Sequence, residues 1–421
     1  MRILVIGSGG REHAITWKLG QSSRLSELHC APGNAGICEA AKCHSVDTND
    51  PASIAALAES LKADITMIGP EAPLVAGVRE AFAVRKLRIV APSAHAAWLE
   101  GSKVFAKEFM KRSGIPTARF VACDSVMEAR AALNQFTFPV VVKANGLAAG
   151  KGVRIVNDST DFEVAIQEMM VQRVFGDSGD RIVIEECLVG DEASLMLFTD
   201  GRDYKLLPPA RDYKRVDDGD RGPNTGGMGS FSTPGLIDER TLSRIQTEIV
   251  APTLASMFAE GHPFEGILYV GLMLTADGPK VIEYNARLAA PETQAVMIRL
   301  ESDLVEILDA IIEKRIGETR IEWADDSSVC VVAASKGYPG AFDRGKIITG
   351  LQEAGSGEAV VFHAGTARDE NGNFVTSGGR VLGVTARAGT LAEARARAYE
   401  AVGKLSFEGI HYRKDIAETS R

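Results

Sequence analysis

The feature that most constrains this chain is an alternation in its first hundred residues. Short β-branched runs at 3–6, 28–30, 64–68 and 89–90 are separated by stretches at 12–19 and 54–61 with helical apolar spacing. Strands alternating with helices demand a parallel sheet with right-handed crossovers, and ligands of such sheets gather beyond the strand C-termini. Three of these runs end in turn residues: Gly7-Ser8-Gly9-Gly10, Ala31-Pro32-Gly33-Asn34 and Gly69-Pro70-Glu71. The fold class expected is α/β here, and α+β over the whole chain.

The character changes after Gly101. A helix is expected over 102–110, opened by Ser102 as N-cap. A strand at 140–143, a glycine-rich loop at 144–152 and a strand at 153–156 describe a hairpin that can close over a ligand. Residues 182–186 form a strand ending in two carboxylates, and 281–284 a strand carrying Glu283, with Asn285 just beyond. The polar segment at 208–232 is expected to be a long loop, a feature usually functional or disordered in a compact domain. A polar stretch at 316–327 separates a last β-rich unit, with strands at 329–333, 359–363 and 381–385 and a helix at 391–402. A length of 421 residues suits about three domains.

Charge narrows the partners. Lys plus Arg total 47 against 56 Asp plus Glu, a formal net charge of -9, so no overall field draws the chain to nucleic acid or anionic membrane. No apolar run approaches membrane-spanning length, and the opening run is too short for a signal peptide. A cytoplasmic protein is expected, with no nucleic-acid or membrane partner. The six cysteines form no Cys-x-x-Cys and are expected to be buried free thiols. Seven histidines without a His-x-x-x-His argue against a zinc site.

Four places carry chemistry. Gly7 to Glu12 follows the first strand and opens its helix, where backbone N–H groups can cradle a phosphate or make a plain tight turn. A nicotinamide site is disfavoured: Glu12 stands at the third glycine position of the dinucleotide fingerprint, and the second strand ends in Ala31-Pro32 without the ribose-binding acid. Lys143 and Lys151 flank a glycine-rich loop and could neutralise phosphates or be solvated. The run from Glu185 to Ser194 offers a backbone hinge near Leu188 for an adenine edge and Glu192 for ribose hydroxyls, although acidic strand ends are common. Glu283 and Asn285 share one strand face, with Arg287 next in the row. A carboxylate and an amide oxygen suit Mg²⁺, which completes its shell with phosphates and water; the rival reading is a solvated edge strand.

Ordered blocks of sequence then match one family. They include 7–14 (Gly-Ser-Gly-Gly-Arg-Glu-His-Ala), 31–36 (Ala-Pro-Gly-Asn-Ala-Gly), 69–77, 100–103 (Glu-Gly-Ser-Lys), 146–152, 222–229, 291–294 (Pro-Glu-Thr-Gln), 336–340, 362–366 and 377–382. On these blocks the chain resembles the phosphoribosylamine–glycine ligases, or glycinamide ribonucleotide synthetases, of the ATP-grasp superfamily. The resemblance runs from Met1 to about Ile416. It implies a parallel α/β domain at 1–101, an ATP-grasp domain at 102–325 with a small lid at about 122–190, and a β-rich C-terminal domain at 326–421. It implies ligation of glycine to 5-phosphoribosylamine through glycyl phosphate, with ATP as co-substrate, Mg²⁺ or Mn²⁺ as metal, and a monomeric enzyme.

The resemblance also distributes roles. For ATP it implies Lys103, Lys143, Gly150, Lys151, Gly152, Glu185, Glu186, Leu188 and Glu192. Glu283 and Asn285 become metal ligands, and Arg287 the catalytic arginine that steadies the carboxylate and acyl phosphate. Gly9, Gly10, Asn34 and Glu71 fall to phosphoribosylamine, and Asp212, Lys214 and Asn224 to substrates from a mobile active-site segment. The chain departs from the family pattern at three places. Asn145 replaces an Asp, Tyr213 replaces a His, and Ala289-Ala290 replaces Gly-Asp, which is expected to weaken glycine binding near Ala290.

Overall fold

A computed structural model of the protein describes residues 1–148 and 152–418. The N-terminal runs form the expected parallel sheet, in the order Lys42–Cys43, Glu27–Pro32, Arg2–Gly7, Ile65–Ile68, Ile89–Val90. Arg2–Gly7 is central because Ile3, Leu4, Val5 and Ile6 are apolar toward both faces and fully buried. The chain builds outward on one side of this strand, then crosses to lay Ile65–Ile68 on the other. That reversal opens a crevice beyond Gly7 and Ile68.

Two antiparallel four-stranded sheets follow. The first runs Phe120–Cys123, Ile182–Glu186, Val140–Ala144, Val153–Val156, so the glycine-rich loop does link two paired strands. The second runs Tyr204–Leu206, Asp191–Asp200, Glu265–Thr275, Gly278–Asn285. The helix Lys103–Arg112 starts where expected, with the Ser102 hydroxyl accepting from the Phe105 N–H at 3.1 Å.

The last sheet gathers Arg211–Asp212, Gly229–Ser232, Ser327–Ser335, Arg380–Ala388 and Ala359–His363 in that order, with Ile410–His411 against Ser327–Ser335. Every residue of Ser327–Ser335 is buried, because the helix Leu391–Val402 covers one face through Ala394, Ala398 and Ala401 while Ser328 and Cys330 face the body of the molecule.

Two expectations need correction. The segment 208–232 is not a long loop. Arg211–Asp212 and Gly229–Ser232 join the last sheet, and Arg215–Asp217 pairs with Arg221–Asn224 as a small ladder between them. Gly229–Ser232 finds its backbone partners in Ser328–Val331, a hundred residues away, which local polarity cannot reveal. Nor are all six cysteines free: Cys38 and Cys43 form a disulfide. The four-residue helix Ile37–Ala40 turns the chain back and brings their Cα atoms to 5.5 Å, although five residues separate them. Cys30, Cys123 and Cys330 are the buried thiols expected, and free Cys187 is partly exposed.

Candidate functional site

Every candidate residue within the described portion lines one cleft of about 1630 Å³, where the four sheets converge. Gly150 and Lys151 lie outside the described residues. At one end, Lys143 leaves its strand beside Lys107, and both ammonium groups meet the same oxygen of Glu185, at 3.0 and 2.9 Å. All three side chains are at least 94% buried. Burial pushes the Lys107 ammonium down to about 8, against the opposing pull of Glu185. The other Glu185 oxygen is buried with no partner among the described residues. Lys103, one helical turn before Lys107, donates to the Gly146 carbonyl at 3.0 Å, and burial lowers its pKa. This is a cationic floor held by a buried carboxylate, with Glu186, Cys187 and Leu188 continuing along the wall.

The strand Gly278–Asn285 supplies the centre. Its pairing with Glu265–Thr275 slips at Ile282, since Leu272 faces Val281 but Gly271 faces Glu283. The extra residue re-aims the strand. Val281 and Tyr284 are buried in the core, while Glu283 and Asn285 both border the cleft. Burial raises the Glu283 carboxyl, but Lys214, Lys143, Lys103 and Arg287 outweigh it and hold it below its usual range. A charged carboxylate beside a neutral amide oxygen fits a hard cation that shares phosphate oxygens. No cluster of three acidic, His or Cys side chains suited to a metal occurs among the described residues.

Arg287 comes next in the row. Its Nη2 lies 2.9 Å from Glu100 and its Nε 3.5 Å from Glu71, so the guanidinium is held from the N-terminal side. Glu100 is fixed in turn by the Ala286 N–H at 2.7 Å. Burial raises the Glu100 carboxyl although Arg287 opposes it; for Glu71 the arginines win over burial and its pKa falls.

Across the cleft stand Asp212 and Lys214. Lys214 reaches Glu192 at 2.9 Å. Burial lifts Asp212 to about 7, with Lys214 opposing and Glu292, Glu192 and Glu283 adding to the rise. Lys214 is raised well above its ordinary value, because Asp212 and Glu192 outweigh burial. Buried Glu292 accepts from the Ser194 hydroxyl at 3.1 Å, and Ser194 meets the Tyr269 hydroxyl at 3.0 Å. The wall therefore carries more carboxylates than ammonium groups, which suits an incoming cation. Asn224 borders the same wall from its short strand.

The N-terminal loops close the other end. Glu12 reaches back to accept from the Gly9 N–H at 2.6 Å, so a carboxylate of the chain already occupies that helix start. A Cβ at Gly7 would stand 2.6 Å from Glu12 Cγ, so glycine makes room for this return. Asn34 borders the cleft, yet its amide is committed: Nδ2 donates to Ser8 and His363 carbonyls, and Oδ1 accepts from Gly36 and Ile37. Its role here is to fix the loop. Gly10 is buried against Gln294.

The three departures are accommodated differently. Asn145 Oδ1 accepts from the Ser102 hydroxyl and the Val104 N–H, both at 2.9 Å, a job its amide oxygen does without charge. The Tyr213 hydroxyl accepts from the Ala417 N–H at 3.0 Å while Arg413 stacks on its ring, tying this segment to the C-terminal tail. Ala290 lies on the cleft with its carbonyl accepting from Arg380 at 3.0 Å, and offers no side-chain acceptor. Sequence reasoning missed Lys107, Glu100, Glu292 and Gln294 as site residues. The four-residue spacing of Lys103 and Lys107 on one helix was the available signal for the first.

Comparison with known proteins gives a consistent picture. Family models for phosphoribosylglycinamide synthetase match the chain in order: the N domain at 1–100, the ATP-grasp (A) domain at 101–293 and the C domain at 328–419. The chain is 48% identical over 417 residues to a phosphoribosylamine–glycine ligase of Caldanaerobacter subterraneus, covering 99% of each. It is 45% identical to that of Halalkalibacterium halodurans, over 99% of this chain and 96% of the other. The crystal structure of phosphoribosylamine–glycine ligase from Thermotoga maritima superposes with a TM-score of 0.85 at 38% identity, over 99% of this chain and all of that one. A biotin carboxylase from Campylobacter jejuni shares the fold at a TM-score of 0.74 and 17% identity, covering 98% and 92%.

Proposed function

The chain belongs to the phosphoribosylglycinamide synthetase family, and from that premise we propose that it joins glycine to 5-phosphoribosylamine. ATP drives the reaction, which yields glycinamide ribonucleotide, ADP and phosphate in de novo purine synthesis. One observation carries this reading. The row Glu283, Asn285, Arg287 lies between the buried lysines and the N-terminal crevice, so a single cleft joins a phosphate-binding floor to a second substrate site.

ATP lies with its phosphates over Lys103, Lys143 and the hairpin carrying Gly152, its adenine along Glu186 to Leu188 and its ribose toward Glu192. The side chain of Glu185 holds Lys107 and Lys143 in place. Glu283 and Asn285 would hold a Mg²⁺ or Mn²⁺ ion, which would supply charge neutralisation for the phosphoryl group. A glycine carboxylate oxygen attacks the γ-phosphorus and the bond to the β-phosphate oxygen breaks, giving glycyl phosphate and ADP. Arg287, fixed by Glu100 and Glu71, holds the carboxylate and then the acyl phosphate. The amine of phosphoribosylamine attacks the glycyl carbonyl carbon, the C–N bond forms, and phosphate leaves with the C–O electron pair as the nitrogen loses a proton. The wall of Asp212, Glu192 and Glu292 receives the glycine ammonium, with Lys214 and Asn224 beside it. Gly9, Gly10 and the loop fixed by Asn34 shape the seat of the sugar phosphate.

No helix among the described residues is long and apolar enough to cross a membrane. We place the reaction in the cytoplasm, carried out by a monomer. The reading is tested by phosphate release from ATP: it requires both glycine and freshly made phosphoribosylamine for full rate. Equal turnover with alanine or serine would overturn the glycine assignment.

A further inference from the structure

Ser194, on the strand Asp191–Asp200, has no role in the scheme above. The register across the sheet runs Ala210, Ser194, Gly271, Glu283, so Ser194 shares a face with Glu283. Gly271 keeps that face open, since a Cβ there would stand 3.1 Å from Glu283 Cγ and 3.3 Å from Tyr269 Cε1. Tyr269, Ser194 and Glu292 are each at most 3% exposed, and their polar atoms form a chain. The Tyr269 and Ser194 hydroxyls lie 3.0 Å apart, and Ser194 lies 3.1 Å from Glu292 Oε1. A carboxylate only accepts, so Ser194 donates to Glu292 and accepts from Tyr269 in turn. Burial raises the Tyr269 hydroxyl well above its ordinary range, so it keeps the proton it donates. The backbone is tied as well: the Ser230 hydroxyl donates to the Pro291 carbonyl at 2.8 Å, and Ser230 pairs with Asp212.

Building on the reading above, we propose that Ser194 is a positioning residue: held by Tyr269, it fixes Glu292 Oε1 so that the second oxygen is presented to the glycine ammonium. Glu292 borders the cleft, and both Asp212 and Arg287 feel its charge. A carboxylate free to turn would be drawn to the guanidinium. Spent on Arg287, it would miss the ammonium and occupy the arginine that the glycine carboxylate needs. Two neutral hydroxyls hold Glu292 without a counter-charge, so its negative charge remains for an incoming cation.

The test is steady-state phosphate release by the full-length protein, varying one substrate at a time. Ser194→Ala should raise the glycine KM on the order of tenfold, the worth of a hydrogen bond to a charged group. The kcat and the KM for ATP should be unchanged, because the ammonium takes no part in phosphoryl transfer. Tyr269→Phe leaves Ser194 in place without its donor and should raise the glycine KM by less; it decides alone if the alanine variant does not fold. In a Glu292→Gln background, Ser194→Ala should add little, since the two side chains act as one unit. An unchanged glycine KM in either single variant overturns the proposal. So does a loss spread over all three substrates with a lower melting temperature, or one that adds in full to that of Glu292→Gln; each assigns Ser194 to packing alone. No phosphate release by the wild-type protein with all three substrates would instead sink the functional reading on which this rests.

Discussion

Replacing Glu185 with Gln removes the only carboxylate among the described residues that is set against both Lys107 and Lys143, at 2.9 and 3.0 Å. Removing one partner of a buried ion pair costs about 3–5 kcal/mol, because the remaining charge stays desolvated. Lys107, already pushed down to about 8 by burial, then sheds its proton near neutrality, which limits the cost to the lower part of that range. At about 2–4 °C per kcal/mol for a unit of 150–250 residues, the melting temperature should fall by at least about 6 °C at pH 7. The deficit carries a sign in pH. In the variant the native state holds Lys107 neutral where wild type still keeps the proton, so variant stability rises relative to wild type only up to about pH 8; above that both gain alike until the unfolded lysine deprotonates near pH 10.4. The assay is thermal unfolding of Glu185→Gln and wild type from pH 6 to pH 10, alongside the KM for ATP. That KM should rise in the variant, because Lys143 loses the carboxylate that holds its ammonium in place. A melting temperature within 2 °C of wild type, with a parallel pH profile, would show that the lysines do not depend on this carboxylate; the ±2 °C margin is roughly what a surface substitution of about 0.5 kcal/mol produces.

Glu283→Gln should lower kcat by on the order of a hundredfold or more while the melting temperature holds, and near-normal kcat at ordinary Mg²⁺ would refute the metal role. Ala290→Asp should lower the glycine KM roughly tenfold to a hundredfold by restoring an acceptor for the ammonium, with kcat little changed; no change in this variant or in the Ala289→Gly, Ala290→Asp double variant would place the ammonium elsewhere. His13 and His363, pushed down to about 3 and about 4 chiefly by burial, stay neutral in the fold. Between pH 6.5 and pH 4 the unfolded chain binds protons the native one refuses, so stability should fall as pH drops by roughly 1.4 kcal/mol per pH unit for each histidine. His363→Gln should flatten that slope, and an acid-denaturation profile unmoved by it would assign the loss to carboxylates.

The parallel sheet was legible because Ile3 to Ile6, and Ile65 to Ile68 apart from Thr66, are apolar runs followed by glycine, a local signal of a strand buried on both faces. Glu283 and Asn285 were legible from a spacing of two, although the bulge at Ile282 that turns both toward the cleft was not. The strands at 211–212 and 229–232 escaped notice because they are short and polar, and their stability comes from Ser327–Ser335 far along the chain. The Cys38–Cys43 pair escaped because a four-residue helix, not sequence spacing, brings the two together. Glu100 and Gln294 sat inside recognised blocks, but what marks them is their surroundings: an arginine just beyond a strand about 190 residues downstream for one, an absent side chain at Gly10 for the other.

The stitching between the two ends of the chain sets an order in time. The His363 N–H donates to His13 Nδ1 across 350 residues, the His363 carbonyl accepts from Asn34, and Arg368 pairs with Glu39 at 2.6 Å. At about 5–20 residues per second, a ribosome delivers those partners roughly 14–55 s after the first sheet has been made. Throughout that interval the loop around Asn34 lacks its final anchor and the sugar-phosphate seat has no far wall. On the proposed reading, a nascent or truncated chain ending before residue 359 keeps the lysines of the ATP floor but lacks the far wall of the second-substrate site. Completion of synthesis thus acts as the last step in assembling the catalyst, so that a prematurely released fragment joins no glycine to sugar.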